Sequence, residues 1–243
     1  MKKAINQSTL TFLMNGVSVL TLIFLAFSLF CFSNVSHKID KANEERFDLT
    51  YNANRFMNGS AYLTNEVRAY AATGNQMHYE NYWNEINNLK NREIGVAALK
   101  EIGITEEEQG MIDEMSELSN TLVPLEEQAM NDVMAGNRDL AVNYVYGTQY
   151  SDSVAKINPL KESFLSALDE RALGEVERLI GVSNFIRFFM FASLILIGVI
   201  QLLNIWIIKK RFLRPVIAIR DQMGEISQGN LSADFDLEPD TSE

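Results

Sequence analysis

The sequence has one cysteine, two histidines, four prolines and 13 glycines in 243 residues. The single cysteine, Cys31, cannot form an internal disulfide and sits in an apolar run, so it says nothing about redox compartment. His37 and His78 are isolated, with no cysteine or acid cluster at ligand spacing, so neither a metal nor any other cofactor is expected. So little proline and glycine argues against disorder, collagen-like repeats and a turn-rich all-β domain. There is no nucleophile–base set, no phosphate-binding loop and no pair of carboxylates in a cleft signature, so no enzyme is expected. The widest gap is in charge: Ala4 to Ser36 contains no Asp, Glu, Lys or Arg.

Within that gap lies Leu10–Phe32, and Phe188–Ile208 is a second apolar run. About 20 apolar residues cross a bilayer as a helix, and both runs are long enough. A signal peptide is the rival reading of the first run, but "SLFCFSNVS" offers no small-residue cleavage site and Phe30 is wrong for lipoprotein processing. A buried soluble helix is the rival for either run alone. Lys2 and Lys3 precede the first run, and Lys209, Lys210, Arg211 and Arg214 follow the second. The basic flanks place both termini in the cytoplasm and the intervening segment outside the inner (plasma) membrane, with Trp206 at the inner edge. Five parts follow: a cytoplasmic tail (1–9), a first span (10–32), an external domain (33–187), a second span (188–208) and a cytoplasmic segment (209–243). Asn15, Gln201 and Asn204 are polar within the spans and are expected to join helices there.

Residues 38–187 carry 14 Lys and Arg against 25 Asp and Glu. Such an acidic segment is a poor partner for nucleic acid, whose phosphates need basic residues. Its apolar positions repeat at helical spacing. Leu49, Ala53, Phe56, Ser60, Leu63, Val67 and Tyr70 step by alternating fours and threes, the spacing of a coiled-coil seam. Met111, Met115, Leu118, Leu122, Leu125 and Ala129 form a second seam. Tyr79, Tyr82, Ile86 and Leu89 form a third, and Leu165, Leu168, Ala172, Val176 and Leu179 a fourth. The breaks fall between seams, at Thr73-Gly74-Asn75, at Gly103 before a capping box starting at Thr105, and at Gly136-Asn137. Helices are therefore expected over about 37–73, 76–101, 105–135 and 138–187, with Pro124 kinking the third. Short loops between long helices imply an all-α, membrane-anchored antiparallel four-helix bundle flanked by two transmembrane helices. The lengths are unequal: helix one would rise about 55 Å and helix four about 75 Å. Either the first span begins nearer Ala4 or residues about 138–150 form a separate distal turn with a break at Gly147. At the far end of the first hairpin, Tyr70, Tyr79 and Tyr82 would pack as an aromatic cap below Gly74, and that end could also hold a ligand.

The segment "RFLRPVIAIRDQMGEISQGNLSADF" has Pro215 shortly after the second run, a heptad helix at Val216, Ile219, Met223 and Ile226, Glu225 near its end and a Gly229-Asn230-Leu231 exit. It resembles the first helix and connector of a HAMP domain. With two spans and an external helical domain in which "VRAYAATGN" and "HYENYWNEI" resemble the first hairpin of a four-helix-bundle sensor, the chain looks like the sensory half of a methyl-accepting chemotaxis protein. The resemblance implies a homodimeric chemoreceptor module that detects an external small molecule and passes the signal through Arg214, Pro215 and Glu225. The sequence stops at Glu243, before the second HAMP helix, so contact with kinase-coupling partners is expected only through a further C-terminal portion. The same module could precede a histidine kinase or a diguanylate cyclase, and a ligand-free structural membrane protein is the reading from another class.

Helix one carries a second stripe, Met57, Ala61, Thr64, Arg68 and Ala71, which suggests one face for the bundle and another for a partner subunit. In bundles of the type resembled, ligand sits between subunits near that height, and an arginine fork suits a carboxylate. By that resemblance Arg68 and Thr64, with Tyr144 or Tyr150, would bind a carboxylate or amino acid. The alternative is that Arg68 pairs with a neighbouring acid or lies along the surface. The acids Glu106 to Glu108 are read as a helix cap and solvent face.

Overall fold

The computed structural model describes residues 7–227. Every element among the described residues is helical. Helix α1 (Gln7–Thr73) is followed by α2 (Gln76–Asn84), which passes through a π turn, Glu85–Leu89, to α3 (Asn91–Ile102). Then come α4 (Glu106–Asn120), α5 (Val123–Met134), α6 (Arg138–Tyr146) and α7 (Thr148–Ile208), and a second π turn, Lys209–Leu213, leads to α8 (Arg214–Ser227). Lys38–Leu179 forms one compact unit, and the described parts of the flanking segments, up to His37 and from Ile180, form another.

In the acidic unit the helix ends follow from local chemistry. Gly74 has φ +69° and donates its N–H to the Tyr70 carbonyl at 2.7 Å, closing α1 in the left-handed conformation that glycine adopts without strain. The Asn75 side chain then accepts from Met77 N and starts α2. Arg138, at the start of α6, donates to the Thr73 carbonyl at 3.2 Å, so a cation meets the carbonyl end of α1. Thr105 and Glu108 form a complete capping box at the start of α4.

Three expected helices are interrupted. The second breaks at Lys90, which has φ +49°. The Glu85 carboxylate accepts from Asn91 N at 2.8 Å and Asn91 Nδ2 at 2.9 Å, so it caps α3 beyond the break. The break lets α3 approach α1 closely. A Cβ on Gly95 would lie 2.8 Å from Asn52 O and from Phe56 N, so no side chain fits there. The third helix is not kinked at Pro124 but stops at Asn120 and restarts at Val123. Pro124 lies in the first turn of α5, where no intrahelical N–H is needed. The fourth is split at Gly147, where a Cβ would collide with the Asn143 carbonyl. Residues 138–146 therefore form the separate helix α6, the second of the two arrangements the lengths allowed.

Two buried clusters fill this unit. One joins Leu49, Ala53, Phe56 and Met57 of α1 to Leu99, Ile112, Met115, Phe164, Leu168 and Ala172. The other joins Leu63, Val67, Tyr70 and Ala71 of α1 to Tyr82, Leu122, Ala129, Met130, Ala141, Val145 and Tyr150. The tyrosine cap is present: Tyr70 and Tyr82 are buried, and the Tyr70 and Tyr79 rings lie 5.4 Å apart. The seam through α4 and α5 differs from the expected one. The inward row is Glu108, Ile112, Met115, Ser119, Leu122, Glu126 and Ala129, which keeps the four–three step but includes two glutamates. Glu108 is thus a buried cap residue, not part of a solvent face. The seam from Tyr79 also fails at its end, because the π turn advances the register and exposes Leu89.

In the other unit, α1 and α7 each contain a stretch long and apolar enough to cross a membrane. Their large side chains, including Phe12, Leu20, Phe30, Phe188, Ile195 and Leu202, are exposed. Asn204 Nδ2 donates to Asn15 Oδ1 at 3.4 Å, so two of the polar residues expected to join these helices meet. Pro215 has no N–H and its ring crowds the carbonyl four residues back. The wider π turn Lys209–Leu213 lies where that clash would fall, and α8 begins at Arg214. The side chain of Glu225, and Gly229-Asn230-Leu231, lie outside the described residues.

Candidate functional site

The seams explain why the acidic unit contains a cavity between its two clusters. Ser60 on α1 and Ser119 on α4 occupy inward positions with side chains too small to fill them. On α7 the inward row runs Tyr150, Val154, Ile157, Lys161, Phe164, Leu168, so a lysine stands where a large apolar residue would close the core. The result is a cavity of about 210 Å³. Pockets for drug-sized ligands run to about 300–1,000 Å³, so an occupant here is small. Its walls combine apolar side chains (Met57, Met115, Val154, Ile157) with Ser60, Thr64, Asn65, Ser119 and Asn158. Among the described residues, Arg68 and Lys161 are its charged residues and no acid lines it.

Among the described residues Arg68 forms no ion pair, and it is half-buried. Its Nε donates to the Val145 carbonyl at 3.0 Å. Its guanidinium carbon sits 4.9 Å from the Tyr146 ring centre and 5.0 Å from that of Tyr150, within cation–π range. The Tyr150 hydroxyl lies 3.4 Å from Thr64 Oγ1 and donates to Glu126 Oε1 at 2.6 Å. The Tyr82 hydroxyl donates to Glu126 Oε2 at 2.7 Å. One buried carboxylate therefore ties α2, α5 and α7 together. Burial first, and then the Glu126 charge, push both phenols well above the ordinary tyrosine value; for Tyr150 the Thr64 contact and Arg68 act the other way.

The structure thus brings together Thr64, Arg68 and Tyr150, with Thr64 and Arg68 on the cavity wall and Tyr150 behind them. Tyr144 is not in this group; it packs half-buried against the tyrosine-containing cluster, and Tyr146 takes the place over the guanidinium. Of the second stripe of α1, Met57 and Ala71 are buried, and Met57, Ala61, Thr64 and Arg68 line the cavity, with Ala61 exposed. Arg214 and Pro215 belong to α8 and lie in the other unit. Sequence reasoning missed Lys161, Glu126, Tyr82 as a hydrogen-bond donor, and Tyr146. The signal for Lys161 and Glu126 was available, since each holds a strict four–three position on its helix.

A second cavity, of about 280 Å³, shares Ser60, Thr64 and Ser119 with the first. Its charged residues are of the other sign: Glu85, Glu93, Glu126 and Glu127 against Arg92. No group of acids, histidines and cysteines among the described residues could hold a metal ion. Compared with protein families, with curated proteins and with solved structures, the chain matches none.

Proposed function

We propose that this chain is the sensing and membrane-crossing module of a transmembrane receptor of the methyl-accepting chemotaxis type, and that the Arg68–Lys161 cavity takes a small organic carboxylate. In this reading Lys38–Leu179 is an antiparallel four-helix bundle outside the inner membrane, anchored by the apolar stretches of α1 and α7, with both termini cytoplasmic. The observation that carries the ligand reading is one of charge. A segment with 25 acids against 14 bases has a cavity lined, among the described residues, by two cations and no acid. Arg68 uses only Nε on Val145; its terminal nitrogens donate no hydrogen bond among the described residues, and they suit a carboxylate fork. Met57, Met115, Val154 and Ile157 suit a short apolar body.

An anion there would draw on Arg68 of α1 and Lys161 of α7 together, so it would favour whichever packing of these helices brings the two cations closest. A ligand needs only such a difference in affinity to shift a two-state equilibrium. The π turn Lys209–Leu213 and Pro215 then form the point where a displacement of α7 meets α8. A homodimer would pair through what α1 leaves outside, the exposed Phe47, Tyr51 and Tyr62. The test is calorimetric titration of the full chain in detergent with short mono- and dicarboxylates. At least one is expected to bind saturably, and Lys161→Gln to weaken it about tenfold, the worth of one charged hydrogen bond. No saturable carboxylate, or affinity unchanged in Lys161→Gln, overturns the reading.

A further inference from the structure

In a chain of net charge −11, the sequence around and after the second apolar run is free of acid. No Asp or Glu occurs from Arg178 to Arg220, and the end of that stretch holds five cations, Lys209, Lys210, Arg211, Arg214 and Arg220. The same end is amphipathic. Val216, Ile219 and Met223 recur at steps of three and four on α8, so they share one side of the helix, and Ile217 borders it. Arg214 and Ala218, one turn apart, lie on the other side. The apolar row is uncovered: Val216 is 63% and Met223 65% exposed, and Ile217, Ile219 and Leu213 are exposed as well. The apolar stretch of α7 ends at Ile208, and only the π turn separates it from α8. Lys210 Nζ lies 5.3 Å from the Trp206 ring centre, a pairing suited to a membrane edge. A π turn and a proline are both features at which helices bend, and this junction has the π turn Lys209–Leu213 and Pro215.

We propose that α8 lies along an anionic phospholipid surface, with its apolar row at the acyl boundary and Lys209, Lys210 and Arg214 against the headgroup phosphates. A helix that rests in a membrane interface needs an apolar face, a polar face and basic residues, and α8 with its π turn has all three. Lys and Arg clustered beside a span are drawn to anionic headgroups. The rival occupant of the row is a second copy of this chain. Two copies of α8 that emerge from one membrane and pack through Val216, Ile219 and Met223 would hold their basic residues at the same height, where like charges repel. Apolar area suits either occupant; charge selects the lipid. The proposal rests on the reading of α1 and α7 as membrane spans and is independent of what the Arg68–Lys161 cavity holds.

For the experiment, the full chain carrying Cys31→Ser is spin-labelled at one new cysteine, Met223→Cys or Ala218→Cys. It is placed in nanodiscs of phosphatidylcholine alone or with about 30% phosphatidylglycerol. Both leaflets of a nanodisc have one composition, so the result does not depend on the side at which α8 emerges. Collisions with a water-soluble nickel reagent and with oxygen, which concentrates in lipid, report the depth of the label. With phosphatidylglycerol the label at position 223 is expected to lose nickel access severalfold and gain oxygen access, while the label at position 218 stays in water. Lys209→Gln, Lys210→Gln and Arg214→Gln together should return the label at 223 to its phosphatidylcholine value. An about tenfold rise in salt should do the same to the chain that keeps all three. A label at 223 that stays in water in both lipids overturns the proposal. So does one equally deep in both and indifferent to salt, because charge would then play no part. Dipolar broadening between two labels at 223, with nickel exclusion that ignores phosphatidylglycerol, gives the row to a second copy and overturns it too. A chain that fails to insert in the nanodisc refutes the spans and the proposal with them; a water-exposed label on an inserted chain refutes the proposal alone.

Discussion

Glu108 and Glu126 stand on the same inward row of α4 and α5, and each is almost fully buried, yet their surroundings differ. Glu108 closes a capping box with Thr105 and meets Arg171 at 2.9 Å from Nε and 3.1 Å from Nη2. Around it the packing is tight: Leu99, Ile112 and Leu168 are at most 1% exposed, and Gly95 brings α3 against the backbone of α1. Glu126 accepts from two phenols, forms no ion pair among the described residues, and lines one cavity. The first region is a satisfied core. In the second, Glu126 has no ion-pair partner among the described residues, and helix contacts are made through tyrosine hydroxyls. Where polar groups are fully paired they make one structure rigid; where they are partly paired they leave room for a bound molecule to choose between packings.

Gly95→Ala should have the largest effect, because the new Cβ would strike the backbone at Asn52 and Phe56 and neither can yield as a side-chain tip can. A loss of about 3 kcal/mol is expected from chemical unfolding of the full chain in detergent. A loss below about 1 kcal/mol would show that the region around Glu108 is looser than its burial indicates. Arg171→Met should cost about 2 kcal/mol at neutral pH by stripping a buried carboxylate of a charged partner. Burial raises the Glu108 carboxyl, but the Arg171 hydrogen bond and the Thr105 N–H outweigh it and hold it below the ordinary value. Its contribution is therefore present above the unfolded carboxylate range of about 4.3 and is lost as pH falls through the lowered native value. The gap between wild type and Arg171→Met should narrow on acidification, and a gap constant with pH would contradict the pairing.

Tyr150→Phe should cost slightly less, about 1.5 kcal/mol, because Tyr82 still serves Glu126. Tyr82 and Tyr150 are both raised in the native state, so the stability they contribute is complete below the unfolded tyrosine value of about 10 and declines as pH rises above it. Alkaline unfolding of Tyr150→Phe should therefore be shallower than that of wild type. Equal alkaline slopes would mean that the Tyr150 phenol is not raised in the native state.

Much of the local structure was legible because it depends on near neighbours. Gly74, Gly103 and Gly136 mark helix ends with positive φ, and the Thr105 capping box is a four-residue pattern. The seam of α1 could be read because its members are apolar, apart from Ser60. The expected seam of α4 and α5 shares Met115, Leu122 and Ala129 with the inward row, and Met111 and Leu125 pack partly buried against the clusters, but the row itself was not read whole because two of its positions hold glutamate. A period search that rewards apolar residues passes over a charge whose partners lie far away in sequence. Arg171, Tyr82 and Tyr150 are those partners, and no local pattern announces them. Thr64, Arg68 and Tyr150 were chosen for a site between subunits and meet inside one chain. The π turn is why Leu89 left its seam: one extra residue in a turn rotates all that follows, and the break at Lys90 needs the fit of Gly95 against α1 to make sense.

The sequence by itself determined that the chain is helical, where its apolar runs lie and where most helices end, since periodicity, caps and glycine conformations act over a few residues. Only the tertiary structure decided which charges are buried, which are paired, and that a cavity of cations lies beside a cavity of acids. Those outcomes depend on which helices face each other, and the free energy of a buried charge is set by its spatial neighbours rather than its neighbours along the chain.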